Sequence, residues 1–553
     1  MLFSCSDYLE RDMQTDTTLS YEEVFKDKHY ALGFLNNIYV DIPVGFTRMG
    51  YATLAGACDE AVISSSTSPV QLFNRNGISS SSNPDENWYV MYRSIRKCNI
   101  FLKELDGIIK QSNSIALADR AKYKGEALFL RAYMHSELLK RYQNIIWVNG
   151  VVDPYNTDSI YKFKQKSFQE MTQILSDQCD SAAKYLPITA NAGATLGRPI
   201  ASAALAIKSR LWLYAASPLN NPTNDVALWK KAEQAALDVI TQFATIHPLA
   251  TDYNALFTGG TYNNEVIFGT SFVNRNDLEK YYYPISFGGA GLINPSQDLV
   301  NSYAMQASAY NDPMNDKSTT NKYDPANPYL KRDARFYATI AYNGMEFQTG
   351  NLVETYDGGK DAYGKSTTAT RTGYYLRKFL NPVLNIKKNE MSRRQWIIFR
   401  YAEVLLNYAE ARNEVLTTPD SKVWNAINPI RLRGKLRPFP SSGVLFDKVA
   451  MREYLKKERR IEFAFEELRF WDLRRWKNDA SLILNQSING INITRNSIGL
   501  DSNGKTIYKL TYKEIPVENR YFDTKLFWYP IPNAEILKYK AMGYEINQNE
   551  GWN

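Results

Sequence analysis

Three glutamates in the most charged stretch of the chain are spaced so that they could act together in catalysis. Glu458, Glu462 and Glu466 follow one another at intervals of four residues, which places them on one face of a helix. A pair of carboxyl groups can supply the acid and the base of a glycoside hydrolase. Arg459, Arg460 and Arg469 are near neighbours of these glutamates in sequence. This mixture favours internal ion pairs over a catalytic pair, and it argues against nucleic-acid binding because carboxylates repel phosphate.

A second pattern matches a nucleotide-binding loop. Residues Gly359 to Ser366 read GKDAYGKS, which satisfies the signature GxxxxGK[ST]. That chemistry needs a buried strand before the loop and a helix after it, so that backbone N–H groups and the helix dipole hold phosphate. Here a turn at 356–358 precedes the pattern, and residues 367–373 are a poor start for a helix. We therefore predict a glycine-rich surface loop.

Histidine and cysteine give no indication of a metal centre. His29, His135 and His247 lie far apart and share no metal-ligand spacing. Cys98 and Cys179 fall on apolar faces of predicted helices, where cysteine commonly acts as a small buried hydrophobe. Asp and Asn are plentiful in the loops, but without an ordered calcium-ligand spacing. We expect no cofactor and no metal, and calcium is left open.

The composition is that of a large globular protein. The 553 residues are 44% hydrophobic and 22% charged, which is enough for an extensive core without disulfides. The net charge of +8 is small for this length and its signs are interspersed, so no nucleic-acid partner is expected. No run approaches the roughly eighteen apolar residues of a membrane-spanning helix. With 38 Tyr, 25 Phe and 10 Trp, aromatic side chains are abundant, and they suit cores, interfaces and sugar-binding clefts.

Apolar residues recur with helical spacing in two parts of the chain. The predicted helices are 88–106, 118–142, 167–186, 199–216, 226–243, 400–416, 422–433 and 447–469. The first two, the next two, and 400–416 with 422–433 form pairs of tetratricopeptide size across short connections. One further amphipathic piece lies around Tyr30–Tyr39.

Residues 244–395 have a different texture, dominated by Gly, Asn, Pro, Ser and Tyr, with short extended pieces at 266–268 and 374–379. Such a long irregular region inside a helical protein is usually functional. We predict a mainly α fold, a tetratricopeptide-like helical-repeat scaffold with a large irregular, loop-rich insertion and short β-strands. Its parts are a leading segment 1–50, helical repeats 51–243, the insertion 244–395, returning helical repeats 396–479 and a loop-rich end 480–553.

Cys5 stands in a context that indicates lipidation. Leu2-Phe3-Ser4 precedes it, which resembles the end of a bacterial lipoprotein signal whose cysteine is acylated. Phe3 is bulky for its place, and the charged part and most of the apolar part of such a signal are missing. We interpret Met1 to Ser4 as the remnant of a longer signal or an internal start. Membrane attachment is therefore expected through a lipid anchor only.

Several stretches, taken in order, resemble one family over nearly the whole chain. They are WYVMYRSIRKCNIFLKEL from Trp88, EALFLRAYMHSELLKRY (126–142), FRYAEVLLNYAEARNE (399–414), LKKERRIEFAFEELRFWDLRRW (455–476), FWYPIP (527–532) and NQNEGW (547–552). Together with Cys5 they are similar to the SusD/RagB family. The resemblance implies a glycan-binding lipoprotein on the outer membrane at the cell surface of Bacteroidetes. It also implies a partner, a SusC-like TonB-dependent transporter, which the helical repeats face while the irregular part carries the ligand.

Aromatic residues in polar, irregular context predict the ligand site, because sugar rings stack on exposed aromatic faces and charged loop residues bind hydroxyls. Two such places are Phe73 to Trp88 and Phe272 to Phe287. Trp88 stands at the mouth of a repeat helix, similar to where family members place a stacking Trp, although it could instead pack under that helix. The predicted ligand-binding residues are Asp41, Arg75, Trp88, Tyr282, Tyr283, Phe287 and Arg371.

Three functions stay open at this point. The first is non-catalytic glycan capture and delivery to the transporter. The second is a glycoside hydrolase, which needs two carboxylates about 5–10 Å apart across a cleft. The third is a peptide-capturing importer of the same fold. Because no catalytic constellation is recognised in the sequence, we predict that the protein is not an enzyme.

Overall fold

The computed structural model describes residues 19–153, 156, 163–189, 197–307, 321–440 and 446–552. Most of its regular structure is helical. The helices are α1 (Tyr21–Lys26), α2 (Lys28–Tyr39), α3 (Gln71–Asn74), α4 (Trp88–Asp106), α5 (Ile108–Ser112), α6 (Leu117–Tyr142), α7 (Phe168–Tyr185), α8 (Ala201–Ala216), α9 (Val226–Phe243), α10 (Ala255–Thr258), α11 (Asp277–Tyr282), α12 (Gln297–Ser302), α13 (Ala334–Thr339), α14 (Tyr401–Val415), α15 (Ser421–Arg433), α16 (Lys448–Glu462), α17 (Leu468–Arg475), α18 (Asn478–Ile483) and α19 (Asn533–Ala541).

The long helices form one continuous stack. Along the chain α4 packs on α6, α6 on α7, α7 on α8 and α8 on α9. Helix α14 then packs directly on α9, although residues 244–400 separate them in sequence, and α15 packs on α14. The mainly α, helical-repeat fold predicted from the periodicity is therefore confirmed. The irregular region leaves the stack and returns to it between two helices that are neighbours in space.

Local sequence explains where these helices begin and how closely they approach. At the start of α7 the Ser167 hydroxyl accepts a hydrogen bond from the Glu170 backbone, and the Glu170 carboxylate accepts one from the Ser167 backbone. This reciprocal cap satisfies backbone donors that the first helical turn leaves free. In α8 the buried small side chains include Ala203 and Ala206, which allow the neighbouring helices to come near.

The described strands form only two-stranded antiparallel sheets. They are β1 (Ala61–Ile63), β2 (Ile145–Ile146), β3 (Gln165–Lys166), β4 (Val266–Gly269), β5 (Val273–Arg275), β6 (Ile293–Pro295), β7 (Ile340–Ala341), β8 (Glu346–Gln348), β9 (Asn351–Leu352), β10 (Tyr375–Leu376), β11 (Ser392–Arg394), β12 (Ile397–Arg400), β13 (Ser487–Leu500) and β14 (Thr506–Asn519). Strand β12 pairs with β4 and continues into α14, so this sheet guides the chain back to the helical stack.

Two boundaries differ from the sequence-based prediction. The helix predicted over 447–469 is interrupted, because α16 ends at Glu462 and α17 begins at Leu468. Phe465 and Glu467 between them adopt the left-handed backbone region, with φ of 65° and 64°, which a helix cannot contain. The segment 480–553, predicted to be loop-rich, contains a long hairpin, in which β13 and β14 have 14 residues each.

Ion pairs of the charged stretch around α16 connect the insertion to the helical stack. Glu462 is ion-paired with Arg335 at 2.8 Å and with Arg400 at 2.6 Å, and also with Arg433. Arg335 belongs to α13 in the insertion, whereas Arg433 ends α15 in the stack. Opposing guanidinium groups outweigh the effect of burial and lower the pKa of Glu462 to about 2. The predicted internal ion pairing is therefore confirmed.

The partners in this network differ from those expected from nearness in sequence. Glu458 pairs with Arg335, and Glu466 pairs with Arg400 and Lys378. The three arginines that are close to these glutamates in sequence pair with other carboxylates. Arg459 binds Asp472, while Arg460 and Arg469 both bind Asp59. Because α16 stops at Glu462, Glu466 does not continue its face.

Cys98 and Cys179 are fully buried, as predicted, and neither forms a disulfide. Cys5 lies outside the described residues. In the ranges given above, no helix combines the length and the apolar character that crossing a membrane requires.

Candidate functional site

A cleft of about 780 Å³, here called the insertion cleft, opens within the irregular region. Three of its walls are the segment 286–287, the hairpin β8–β9 and the loop 382–387, and Lys360 and Arg377 complete the lining. Every lining residue lies between Ser286 and Lys387, inside the segment that the sequence analysis assigned to the ligand.

Asp361 fixes the first wall. One carboxylate oxygen accepts a hydrogen bond from the Ser286 backbone N–H at 2.9 Å, and the other accepts one from the Ser286 hydroxyl at 3.0 Å. The Glu354 backbone N–H also donates to Asp361 at 3.0 Å, and Asp361 is fully buried. Bonds to a buried charged acceptor are among the stronger ones in proteins, so the segment that carries Phe287 is held in one position.

Tyr283 connects the other two walls, the hairpin β8–β9 and the loop 382–387. Its hydroxyl donates to the backbone carbonyl of Asn381, at the start of the loop 382–387. Its ring packs edge-on against Phe347 of β8, with ring centroids 5.1 Å apart. Burial raises the pKa of the Tyr283 hydroxyl, so it remains a donor. Tyr283 is 0% exposed, which corrects the expectation of an open stacking face.

Phe287 is the predicted residue that does reach the cleft surface. Its ring is half-buried and rests on Phe347 with centroids 4.9 Å apart, so one side is supported. The hairpin β8–β9 and the loop 382–387 add the apolar residues Leu352 and Val383 to the lining, and Val383 is 79% exposed. The remaining lining is largely polar, with the amides Gln348, Asn351 and Asn385. An aromatic face with amide neighbours is suited to a sugar ring.

The other two predicted aromatic residues lie in the core. Trp88 begins α4 and is 2% exposed, with its ring 4.9 Å from that of Tyr92 and 5.0 Å from that of Tyr142. This is the alternative role, packing under its own helix. Tyr282 is 1% exposed, and its hydroxyl donates to the backbone carbonyls of Phe46 and Tyr51. Neither ring offers a face to a ligand here.

The predicted charged residues lie away from the insertion cleft, in three separate places. Asp41 accepts hydrogen bonds from Arg93, Ser94 and Lys97, which tie the end of α2 to α4. Burial opposes this charge, but the hydrogen bonds from Lys97 and Ser94 outweigh it and lower the pKa of Asp41. Asp41 thus has a structural role, because it holds the end of α2 against α4.

Arg371 is likewise structural, because it pairs with Glu518 at 2.7 Å and donates to the Val517 carbonyl at 2.9 Å. These contacts join the insertion to strand β14. Arg75 is exposed, and its backbone forms an isolated bridge with Tyr521, whose side chain is 62% exposed. Neither arginine lines the cleft.

Four lining residues were not among the site residues predicted from the sequence: Phe347, Lys360, Arg377 and Lys387. For Phe347 the sequence does contain a pattern that predicts its local structure. Phe347-Gln-Thr-Gly350-Asn-Leu352 places a Gly between two short apolar pieces, which is typical of a hairpin turn. Gly350 has a φ of 74°, as such a turn requires. The three basic residues carry no local pattern that distinguishes them from other surface cations.

The acidic residues of the cleft bear on catalysis and metal binding. Among the residues that the structure describes, Glu346 is the one carboxylate in its lining. A two-carboxylate hydrolase needs a second acid across the cleft. In the same described ranges, no group of three or more His, Cys, Asp or Glu side chains is arranged to hold a metal ion. The pattern at 359–366 lies in a stretch of turns, 353–374, without helix or strand, as predicted for a surface loop.

A second cavity, of about 550 Å³, lies between α2 and β5. Its aromatic lining includes Phe46 and Trp396, which are 3% and 6% exposed and so mostly covered. The arginines of its lining are already paired, Arg198 with Glu126, Arg275 with Asp277 and Arg394 with Glu279. The insertion cleft is therefore the better candidate for a site.

Comparison with known proteins identifies the family. The model of the SusD family matches residues 256–552, more than half of the chain. A second family model, described as starch-binding and associating with the outer membrane, matches residues 18–213. The chain belongs to the SusD family.

Solved structures share the whole fold. A SusD-like protein from Bacteroides fragilis is 25% identical with a TM-score of 0.75, covering 96% of this chain and 98% of its own. A SusD-like carbohydrate-binding protein from the same species is 24% identical with a TM-score of 0.73, covering 93% and 98%. SusD-like protein P2 of Formosa agariphila is 39% identical over 92 residues, which is 16% of this chain and 18% of that relative. The sequence match to that relative thus spans under a fifth of its length.

Proposed function

We propose that this protein binds glycans in the insertion cleft and delivers them for uptake, without cleaving them. The observation that carries the proposal is the half-buried ring of Phe287 on the wall of a 780 Å³ cleft in a protein of the SusD fold. The names of the related proteins and family models, carbohydrate-binding and starch-binding, support the same ligand class.

The cleft chemistry agrees with a sugar ligand. The C–H face of a pyranose ring stacks on an aromatic face, and its hydroxyls exchange hydrogen bonds with amides. Phe287 supplies the face, and Gln348, Asn351 and Asn385 supply both donors and acceptors. Because Asp361 and Tyr283 fix the walls, little ordering is needed when the ligand enters, which favours affinity.

The test is a binding screen of the purified protein against polysaccharides and peptides, by affinity gel electrophoresis and calorimetry. Binding to at least one polysaccharide, weakened by Phe287→Ala, supports glycan capture in this cleft. Binding to peptides alone would favour the peptide-capturing alternative. A reducing-end assay on each bound polysaccharide tests for hydrolysis, and turnover that is lost on replacing Glu346 by Gln would overturn the non-catalytic assignment.

The setting of this function is proposed on the family resemblance. The protein is lipid-anchored at the outer-membrane surface through Cys5, and its helical repeats contact a SusC-like TonB-dependent transporter. In the protein expressed with its complete signal, Cys5→Ala is expected to release it from the membrane fraction, and unchanged membrane retention would refute the anchor. Co-purification of a barrel transporter from native membranes tests the partner, and repeated failure to recover one would contradict it.

A further inference from the structure

The insertion cleft carries an excess of positive charge on its lining. Three cationic side chains, Lys360, Arg377 and Lys387, face one carboxylate, Glu346. Neutral sugars are bound by amides and aromatic rings and give no reason for unpaired cations, which cost desolvation energy when a ligand covers them. The pairing state of each charged group therefore indicates what the cleft is suited to bind.

Arg377 is the least exposed of the three cations. It is half-buried and follows β10, and one of its guanidinium N–H groups donates to the backbone carbonyl of Tyr337. Within the described part of the chain, no carboxylate lies within 4 Å of it. Burial lowers the pKa of Arg377, which is the effect of losing water without gaining an opposite charge.

This state differs from that of the arginines that join α16 to the rest of the fold. Arg335, for example, holds Asp333, Glu458 and Glu462, and Arg400 holds Glu265, Glu462 and Glu466. Other arginines without a carboxylate partner, such as Arg131 and Arg332, each donate to three neutral acceptors. Arg377 has one such bond among the described residues, and it lies at the cleft surface. The remaining guanidinium donors are in the planar arrangement that binds carboxylate and sulfate groups with two hydrogen bonds.

Lys387 has no carboxylate partner within 4 Å either, when all described residues are considered. It belongs to a short 3-10 helix, Ile386–Lys388, whose first turn is capped by the Asn385 side chain, which accepts from the Lys387 and Lys388 backbone N–H groups at 3.1 and 3.2 Å. The cap fixes the backbone from which Lys387 extends into the lining.

The other two charged groups are partly engaged. Lys360 lies 3.5 Å from Glu354 and its side chain is 61% exposed, so solvent screens that pair strongly. Glu346 uses one carboxylate oxygen to accept the Gly350 backbone N–H at 2.8 Å, which closes the β8–β9 turn. The anion of the lining thus has a structural task, whereas Arg377 and Lys387 have no carboxylate partner among the described residues, and Arg377 donates to one backbone carbonyl.

We propose that the insertion cleft selects an acidic glycan, one that carries carboxylate or sulfate groups, through Arg377 and Lys387. This inference rests on the proposed glycan-binding function. Phe287 contacts an apolar ring face, and the two cations bind an anionic substituent of the same or the next sugar unit.

The test compares polysaccharides that share a backbone and differ in charge. Polygalacturonate is paired with its highly methyl-esterified form, and dextran sulfate with dextran, so that the carboxylate and sulfate sources are distinguished. Calorimetry is run at 50 and 300 mM NaCl. Variants are Arg377→Gln, Arg377→Lys and Lys387→Gln, with Lys388→Gln as the matched control, because Lys388 is exposed in the same 3-10 helix and does not line the cleft.

We expect at least tenfold tighter binding of one acidic form than of its neutral partner, and a similar loss with added salt. Arg377→Gln and Lys387→Gln should each lower that affinity about fivefold or more, with Lys388→Gln within twofold of the unaltered protein. Equal binding of charged and neutral forms, or neutral binding alone, overturns the inference and leaves the proposed function intact. Equal losses in Lys387→Gln and Lys388→Gln would show non-specific attraction and also overturn it. If no polysaccharide binds at all, both proposals fail.

Discussion

Asp361 holds Ser286 by two hydrogen bonds, accepting from its backbone N–H at 2.9 Å and from its hydroxyl at 3.0 Å. The two residues are 75 positions apart, and the second lies next to Phe287. Asp361 belongs to the glycine-rich stretch whose sequence matches a nucleotide-binding signature. In the folded protein this stretch has a structural role, since its carboxylate fixes the wall that carries the aromatic residue of the insertion cleft.

Replacing Phe287 by Ala is expected to weaken glycan binding about tenfold, which corresponds to about 1.4 kcal/mol, because it removes the stacking face while leaving the amides in place. Calorimetry with the best polysaccharide of the screen measures the change. Tyr281→Ala is the control, because Tyr281 is also partly exposed but stacks on Tyr51, with ring centroids 3.9 Å apart, and does not line the cleft. Equal affinities of the Phe287 variant and the unaltered protein would place the ligand elsewhere.

Trp88→Ala is expected to lower the free energy of unfolding by about 3–5 kcal/mol, because it empties a large buried volume against Tyr92 and Tyr142. Glycan affinity of the folded protein should not change. Thermal and chemical unfolding measure the loss, with Tyr89→Ala as the control, since Tyr89 is the next residue of α4 and is 41% exposed. If the Trp88 variant is stable but binds glycan much more weakly, Trp88 contributes to the ligand site after all.

Asp361→Asn is expected to reduce glycan affinity severalfold without contact between residue 361 and the ligand. The amide keeps the shape but loses the charge, and one nitrogen then faces donors, so about 1.5–3 kcal/mol of stability is also lost. Asp357→Asn is the matched control, because Asp357 is exposed in the same loop. If the Asp361 variant has lower stability but full affinity, the wall does not depend on this carboxylate.

Acid is expected to destabilise the protein through Glu462. Its pKa is lowered from 4.5 to about 2 by Arg433, Arg400 and Arg335, which outweigh burial. A carboxyl group with a lowered pKa stabilises the fold fully above its unfolded pKa, and this contribution is lost as pH falls from about 4.5 through 2. The unfolding temperature of the protein should therefore decrease as the pH is lowered from about 4.5 to 2.

The variant Glu462→Gln separates this group from the other carboxylates. It should cost about 3–5 kcal/mol at neutral pH, because it removes a carboxylate that three buried arginines share, and its stability should depend less on pH between 4.5 and 2. Glu453→Gln in the same helix is the control, as the side chain of Glu453 is 58% exposed. An identical acid dependence in the Glu462 variant and the unaltered protein would contradict the assignment.

Much of the scaffold could be predicted from sequence. The bounds of α4 coincide with the predicted 88–106, and those of α6 to α9, α14 and α15 agree within one or two residues. The periodicity of apolar residues is a local property of each helix, so it is visible without knowledge of the partners. The interruption of α16 at Phe463 was not visible, because Phe465 and Glu467 adopt positive φ in response to contacts from elsewhere in the fold.

Most residues of the candidate site, unlike the helices of the scaffold, could not be predicted from sequence. The sequence by itself determined that an irregular, aromatic-rich insertion interrupts a helical stack, because composition and periodicity are encoded in contiguous residues. Only the tertiary structure decided that Phe287 reaches the cleft while Tyr282 and Tyr283 do not. In an irregular segment no period fixes side-chain direction. It is set by bonds to distant residues, such as that of Tyr283 to Asn381, 98 positions away.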